Sequence, residues 1–542
     1  MKRNAHLQNM IFRLFIILGL SMTFTFCTST GSRSVWEYEK IQEEFITPAE
    51  SNKLWCYYYW IEDDISKEGI TKDLEAMKEF GLGTVLIGNI NPPEEDGPVP
   101  ILSEQWYDAM VHVVEEGHRL GIDVGMFNCP GWSQSGGPWV TYDKAMRHLV
   151  YSEVTIQGAG EVNLQLDKPA EEFQDTYVLA FKKIEAEKNR LTGSNASVRC
   201  TPSVSGADRW LDGDSESEAL LEVAEGNQYT IDITASEPFT ARSILITPAK
   251  PTIKCDMELQ AEEDGSFKTI KRFVLDRSND DVAVGPLPRG RVTAAFPATT
   301  ATRFRLLCTN LASTPTIAQP VPGKWAGFAE IEISQAPVLQ NYIEKSLGKM
   351  HPTPFPAFDS YLWESQEAVD DKGMVVLEVL DVSGQMDPSG TLTWDVPDGE
   401  WTVIRMGMTP TGTMNSPAAP QGKGYEIDKT SAELAQFHFD SYMAKIIERI
   451  PEESRPALKY LIADSYEQGS QNWSDGYAEK FEKKYGYDPV KYLPVLSGRI
   501  VGSVEESDRF LWDLRRMVAD DVAYEYVGGL RKAANEYGMK TW

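Results

Sequence analysis

Phe127-Asn128-Cys129-Pro130-Gly131-Trp132-Ser133-Gln134-Ser135-Gly136-Gly137-Pro138-Trp139-Val140-Thr141-Tyr142 is the stretch on which the reading of this chain turns. An apolar run over 122–127 leads into it with the continuity of a buried strand, and a helical pattern over 144–149 is expected after it. A strand that opens into a Gly-rich, Trp-bearing loop is how an α/β barrel builds a sugar-binding rim. Glycines let the backbone approach a ligand, and flat indole faces suit the C–H faces of pyranose rings. A second stretch far downstream has the same form: Leu461-Ile462-Ala463-Asp464-Ser465-Tyr466-Glu467-Gln468-Gly469-Ser470-Gln471-Asn472-Trp473. There an apolar strand ends in two carboxylates, amides and a Trp.

Upstream of the first stretch, residues 54–150 alternate strand and helix. Strands are expected over 54–60 and 83–90, and a helix over 70–80 with apolar residues at Ile70, Leu74, Met77 and Phe80, closed by Gly81. Ser103 caps a second helix carrying Trp106, Met110, Val113, Val114 and Leu120, which Gly121 ends. A βαβαβ run with strands apolar on both faces implies a parallel sheet, in a TIM barrel or a doubly wound fold.

From 151 to about 401 helical periodicity disappears. Short alternating runs such as Tyr229-Thr230-Ile231-Asp232-Ile233 are split by Gly, Pro, Asn and Asp, which implies an all-β insertion of more than one sandwich. Helical patterning returns at Thr430, with Leu434, Phe437, Met443, Ile446 and Ile447 on one face. A strand over 459–463, a helix over 476–485 and a long helix over 505–537, kinked at Gly528-Gly529, follow, and 539–542 reads as the start of another strand. The expected division is a leader over 1–27, a first barrel part over 28–150, a β-rich insertion over 151–194, a jelly roll over 195–336, a β-rich segment over 337–400, and the barrel continued, and truncated, over 401–542. The fold class is α/β plus all-β: a (β/α)8-type barrel, incomplete here, interrupted by β-sandwich and jelly-roll insertions.

A formal charge of −29 over 542 residues argues against nucleic-acid binding, because phosphates would be repelled. Lys2 and Arg3, then a mostly apolar 10–26, form a secretory leader too short for a membrane span. Cys27 stands where a bacterial lipoprotein carries its lipid, although Phe26 is larger than the residue expected before it, so plain secretion stays open. Export to a periplasm or cell surface is expected, with membrane attachment only through Cys27. Cys56 and Cys129 read as buried thiols, and Cys200, Cys255 and Cys308 allow at most one disulfide among them.

The Pro130-to-Val140 loop, Gly424-Tyr425-Glu426-Ile427-Asp428-Lys429, and Asp464-Ser465-Tyr466-Glu467 with Gly469-Ser470-Gln471-Asn472-Trp473 together resemble glycoside hydrolase family 106, the α-L-rhamnosidases. The resemblance implies a (β/α)8 barrel with β-sandwich insertions, an inverting mechanism, calcium at the sugar site, and a length about twice this one. Residues 195–336 are similar to a discoidin-type, galactose-binding-like jelly roll, in which Asp212 and Asp214 sit near the place of a structural calcium. Glycoside cleavage needs an acid for the leaving oxygen and a base or nucleophile across the ring. Glu467, past a strand's carboxyl end among apolar neighbours, has the setting of that acid and matches the family's acid position. Asp464 is assigned to a sugar hydroxyl or calcium, Asn128 to a hydroxyl, and Trp132, Trp139, Trp473 and Glu426 to the substrate; Asp428 is a further ligand or rim candidate. Trp60, Asp63 and Asp64 end the first strand in the same manner, and His112, His118 and His148 are read as helix residues without a role. No base is identified.

The expected substrate is a rhamnose-containing glycan of plant type. The alternatives are a non-catalytic glycan-binding surface protein, or a barrel glycosidase of another specificity. The incomplete barrel further implies that this polypeptide alone is inactive.

Overall fold

The computed structural model describes residues 38–49, 52–92, 95–133, 135–315, 321–350, 363–463, 466 and 469–542. The leader with Cys27, and Gln134, Asp464 and Glu467, lie outside the described residues.

β1 (Leu54–Ile61), α1 (Lys67–Glu79), β2 (Leu82–Ile90), α2 (Glu104–Leu120) and β3 (Asp123–Phe127) give the expected alternation. The Ser66 and Ser103 hydroxyls accept the Gly69 and Trp106 amides, capping α1 and α2, each cap stabilising its helix by about 1 kcal/mol. Gly121 ends α2 in the left-handed conformation, at φ 65°, which a residue with a Cβ adopts only at a cost.

The chain then turns antiparallel earlier than its pattern implied. The expected helix over 144–149 is instead the entry to β4 (Arg147–Gln157), and His148 accordingly lies on a strand. Six residues are too few to separate the two periods, and β4 is decided by its long-range partner. β5 (Gly160–Gln165) and β6 (Gln174–Lys182) follow. Next come β7 (Ala196–Thr201), β8 (Ala219–Glu222), β9 (Tyr229–Pro248), β10 (Ile253–Glu263), β11 (Ser266–Arg277), β12 (Val292–Ala312) and β13 (Trp325–Ser334). These seven form one antiparallel sheet, in which β9 and β12 run 20 and 21 residues and pair along most of their length. β7 pairs with the first half of β9 and β13 with the second. Inward residues alternate along β9 and β10 to fill their own core, among them Ile231, Ile233, Ile244, Ile246, Met257 and Leu259.

β14 (Leu380–Asp381), β15 (Thr391–Val396) and β16 (Glu400–Pro410) return the chain to its earlier strands. β16 lies between β4 and β6, antiparallel to both, and β15 pairs with β5. Residues 151–194 and 337–400 are therefore halves of one unit. The strand at 400–410 belongs with them rather than with the parallel strands, which corrects the boundary drawn at 400/401.

α3 (Ala432–Phe439), β17 (Leu458–Ile462), α4 (Tyr477–Tyr485), α5 (Val504–Asp521), α6 (Gly528–Glu536) and β18 (Lys540–Thr541) complete the described chain. The irregularity between α5 and α6 is a wide π-type turn over Val522–Val527, just ahead of the two glycines expected to make it. β1, β2, β3, β17 and β18 make a five-stranded parallel sheet in that order. Its helix-facing side buries Trp60, Val85, Ile87, Val124 and Met126 against Trp106, Met110, Val113, Phe439, Tyr442 and Leu530. Each such aliphatic side chain contributes about 1.5–3 kcal/mol. The opposite side presents Trp55, Tyr57, Tyr59, Phe127 and Tyr460.

Candidate functional site

Phe127 and Ile462 are register partners in the β3–β17 pair, and the Asn128 amide donates to the Ile462 carbonyl at 3.0 Å. The loops that follow these two strands therefore leave the sheet side by side, at the carboxyl ends of parallel strands.

The loop after β3 is held by backbone. The Gly131 amide donates to the Asn89 carbonyl at 2.8 Å and the Trp132 amide to the Ser416 carbonyl at 3.2 Å. The Asn415 amide group donates to the Pro130 and Gly422 carbonyls at 2.8 and 2.9 Å, tying the loop to the strip that follows β16. A Cβ on Gly424 would lie 2.0 Å from the Gly137 carbonyl oxygen, so the two strips touch backbone to backbone. Asn415 was not singled out in the sequence, where one Asn in a polar loop carries no pattern.

Beneath this loop lies a sealed polar cluster. Glu426 and Lys429 are both fully buried and joined at 2.8 Å. Glu426 also accepts the Ser133 hydroxyl at 3.0 Å, the Ser135 amide at 3.0 Å and the Ser135 hydroxyl at 3.1 Å. Asp428 is equally buried and accepts the Thr430 and Ser474 hydroxyls and the Gln471 side-chain amide, each at 2.6 Å. The Gln471 carbonyl oxygen in turn accepts the Lys429 amide at 2.8 Å. One network thus joins the loop after β3, the 426–430 strip and the loop after β17. The Lys429 ammonium stands 5.6 Å from the Tyr466 ring and 5.4 Å from the Tyr526 ring, within cation–π range. Burial, and then the Glu426 and Asp428 carboxylates, push the Tyr466 hydroxyl well above the ordinary phenol range.

Other residues singled out in the sequence stand near this cluster. Trp132 is 38 % exposed and 6.1 Å from the Tyr59 ring, which leaves a face available for stacking. The Asn128 side-chain amide donates to the Tyr526 hydroxyl at 3.3 Å, at the mouth of β3. Trp139 packs inward instead: it stacks on Tyr442 at 5.5 Å, and its indole N–H donates to His438 Nδ1 at 3.1 Å. His438 Nε2 faces the Asn128 carbonyl oxygen at 2.8 Å, so it carries the ring proton and donates. Burial lowers the His438 pKa to about 4 and keeps the ring neutral. His438 was missed because its partners are remote in sequence.

Trp473 is 1 % exposed, set against Tyr477, and its buried ring cannot stack on a sugar. Glu426 and Asp428 sit inside the protein rather than on a rim. Trp60 and Asp63 are buried behind the loops, Asp64 is exposed, and burial raises the Asp63 pKa. His112 bridges α2 to the Thr71 hydroxyl at 2.9 Å, and His118 is exposed on α2. The Asp212 carboxylate accepts the Asp214 amide at 2.8 Å and the Ser217 hydroxyl at 2.7 Å, and Asp214 accepts the Glu216 amide at 3.0 Å. This is a self-capped turn on the surface. Among the described residues no group of three or more His, Cys, Asp or Glu side chains is placed to hold a metal. Cys129, Cys200, Cys255 and Cys308 are buried, while Cys56 is half-buried.

A family profile described as alpha-L-rhamnosidase matches residues 46–542. A solved structure of a rhamnosidase from Novosphingobium sp. PP1Y superposes with a TM-score of 0.73 at 25 % identity, over 92 % of this chain and 46 % of that one. A curated protein of Formosa agariphila, named "Putative beta-glucuronidase", is 25 % identical over 97 % of this chain and 32 % of its own length. The chain thus spans about a third of the curated relative and under half of the solved rhamnosidase.

Proposed function

The chain belongs to the alpha-L-rhamnosidase family, glycoside hydrolase family 106, and from that premise we propose that it carries the acid-bearing side of an active site that releases terminal α-L-rhamnose with inversion. Glu467 protonates the leaving glycosidic oxygen. A carboxylate from a later strand of a longer product activates water on the opposite face, at the wider separation inversion requires. Trp132 offers its exposed face to the sugar, Asn128 and Asp464 take hydroxyls, and Glu426 with Lys429 holds the floor rigid. The observation that supports this most is the β3–β17 pairing, which sends the Trp132 loop and the chain after Ile462 out of neighbouring strand ends. The exposed aromatic side of the parallel sheet is in keeping with further β/α units that would cover it.

The name of the Formosa agariphila relative favours a second reading, cleavage of a β-glucuronide on the same scaffold. Export through the 1–27 leader, with lipid at Cys27, belongs to the same proposal, and retention of the Cys27→Ser protein in the membrane fraction would count against the anchor. The test of the activity compares the longest natural product and its Glu467→Gln variant on aryl α-L-rhamnosides and β-D-glucuronides. A general acid contributes about 10²–10⁴-fold. Loss in that range on an alkyl or poor aryl leaving group, with much less loss on dinitrophenyl, is the expected result. Equal loss on all leaving groups removes Glu467 from the acid role, and turnover of glucuronides alone replaces the rhamnoside reading.

A further inference from the structure

A polar cleft of about 600 Å³, lined by no residue of the Trp132 loop, lies where β4, the turn after β6, the seven-stranded sheet and the 497–499 turn converge. That size lies within the range of small-ligand sites. Its walls are pinned by Arg499, whose guanidinium takes Glu187 at 2.8 and 3.0 Å and Glu153 at 2.8 and 3.3 Å. Arg190 pairs with Glu332 across the sheet boundary at 3.1 Å, and Lys183 adds a second cation to Glu187 at 3.4 Å. The three carboxylates of the lining are thereby all engaged. The lining carries five basic side chains against those three, a local positive excess in a chain of net charge −29.

Lys188 turns to Glu400, outside the lining. That leaves Arg291, exposed at the entry to β12, whose side chain makes no hydrogen bond or ion pair with any described residue. Tyr151 and Tyr342 supply two rings to the wall, and neither hydroxyl is hydrogen-bonded to a described residue. A guanidinium without a hydrogen-bonding partner beside two such phenols, on a frame held by partly exposed ion pairs, has the chemistry of a site for a hydroxylated anion larger than an inorganic ion.

We propose that this cleft is a second glycan site, taking a carboxylate-bearing sugar unit with its carboxylate on Arg291 and its hydroxyls on Tyr151 and Tyr342. The choice of a sugar rests on the family's carbohydrate chemistry, but the site is separate from the proposed active site and calls for no turnover. The probes are D-glucuronate, its methyl ester and D-glucose, titrated into the whole chain by calorimetry and ligand-observed NMR. The acid is expected to bind, with the ester and glucose about tenfold weaker or more. Arg291→Ala should remove that preference and Tyr342→Phe should weaken binding, both at wild-type near-ultraviolet circular dichroism. Trp132→Ala should bind like wild type, which separates this cleft from the rim and leaves the rhamnosidase reading to its own assay. No binding of the acid, equal binding of acid and ester, an Arg291→Ala variant that behaves as wild type, or binding lost in Trp132→Ala would each overturn the proposal.

Discussion

Lys429 shows how much a single buried charge controls. It has no exposure, one carboxylate partner and two aromatic rings around its ammonium. Removing it as Lys429→Met strands Glu426 inside the protein, and breaking a buried pair in this way costs about 3–5 kcal/mol. Glu426→Gln with Lys429→Met removes both charges and is expected to recover part of that loss, since the Gln oxygen can still accept from Ser133 and Ser135. Urea midpoints of the single and double variants measure the difference, and a double variant no better than the single would mean the pair is not what holds these strips. Two buried imidazoles among the described residues act through pH. His148 and His438 are both depressed to about 4 by burial, against 6.5 for the free side chain. A base with a depressed folded value contributes its full stability above about pH 6.5 and loses it as pH falls toward 4. That gap corresponds to about 3 kcal/mol for each ring. The urea midpoint should therefore decline between pH 6.5 and 4, and less steeply in His438→Gln; an unchanged slope would contradict the assignment.

Elements were legible where local chemistry decides them. Ser103 and Gly121 mark helix ends in the sequence and in the structure because capping needs only neighbours a few residues away. The strands β1, β2, β3 and β17 are apolar runs of the right length. What the sequence withholds is partnership. Nothing local in 147–157 says that it pairs with 400–410, and a six-residue helical period ahead of it misled. The candidate site divides in the same way: Trp132 is exposed as a loop Trp can be, whereas Trp139 and Trp473 carry an identical local signal and are claimed by Tyr442, His438 and Tyr477. Two glycines of the strip after β16 test the importance of backbone approach. Gly412 has φ 83° and open space around its would-be Cβ, so Gly412→Ala meets only left-handed strain, about 1–2 kcal/mol. Gly424→Ala would press into the Gly137 carbonyl, which is backbone and cannot swing away. It should cost well over twice as much in thermal or urea unfolding, or prevent soluble expression. Equal midpoints for the two variants would show that the strips are free to part.

At the scale of the molecule, the parallel sheet is unequal on its two sides. Helices bury most of one side, with Cys56 and Tyr58 partly covered. On the other, Trp55, Tyr57 and Trp542 remain 39 %, 45 % and 49 % exposed although they form a continuous set of ring contacts. Trp55 lies 4.5 Å from Tyr460 and 6.4 Å from Trp542, Tyr57 lies 5.9 Å from Phe127, and Tyr59 carries the series to Trp132. Rings of this size each hold 150–250 Å² of largely apolar surface, and a contiguous apolar face of that kind drives association when nothing covers it. A polypeptide of these 542 residues studied by itself is therefore expected to bind a dye such as ANS and to show mass that rises with concentration in sedimentation. Trp55→Ser, Tyr57→Ser and Trp542→Ser combined should lower both signals while far-ultraviolet circular dichroism stays the same, because none of the three lies in the helix-side core. In a product carrying further β/α units over this face, the same rings would become dry, and the emission of Trp55 and Trp542 would move to shorter wavelength. A wild-type polypeptide that stays monomeric and leaves the dye dark would mean that the ring contacts within the face already satisfy it, and the expectation of covering strands would lose its physical basis.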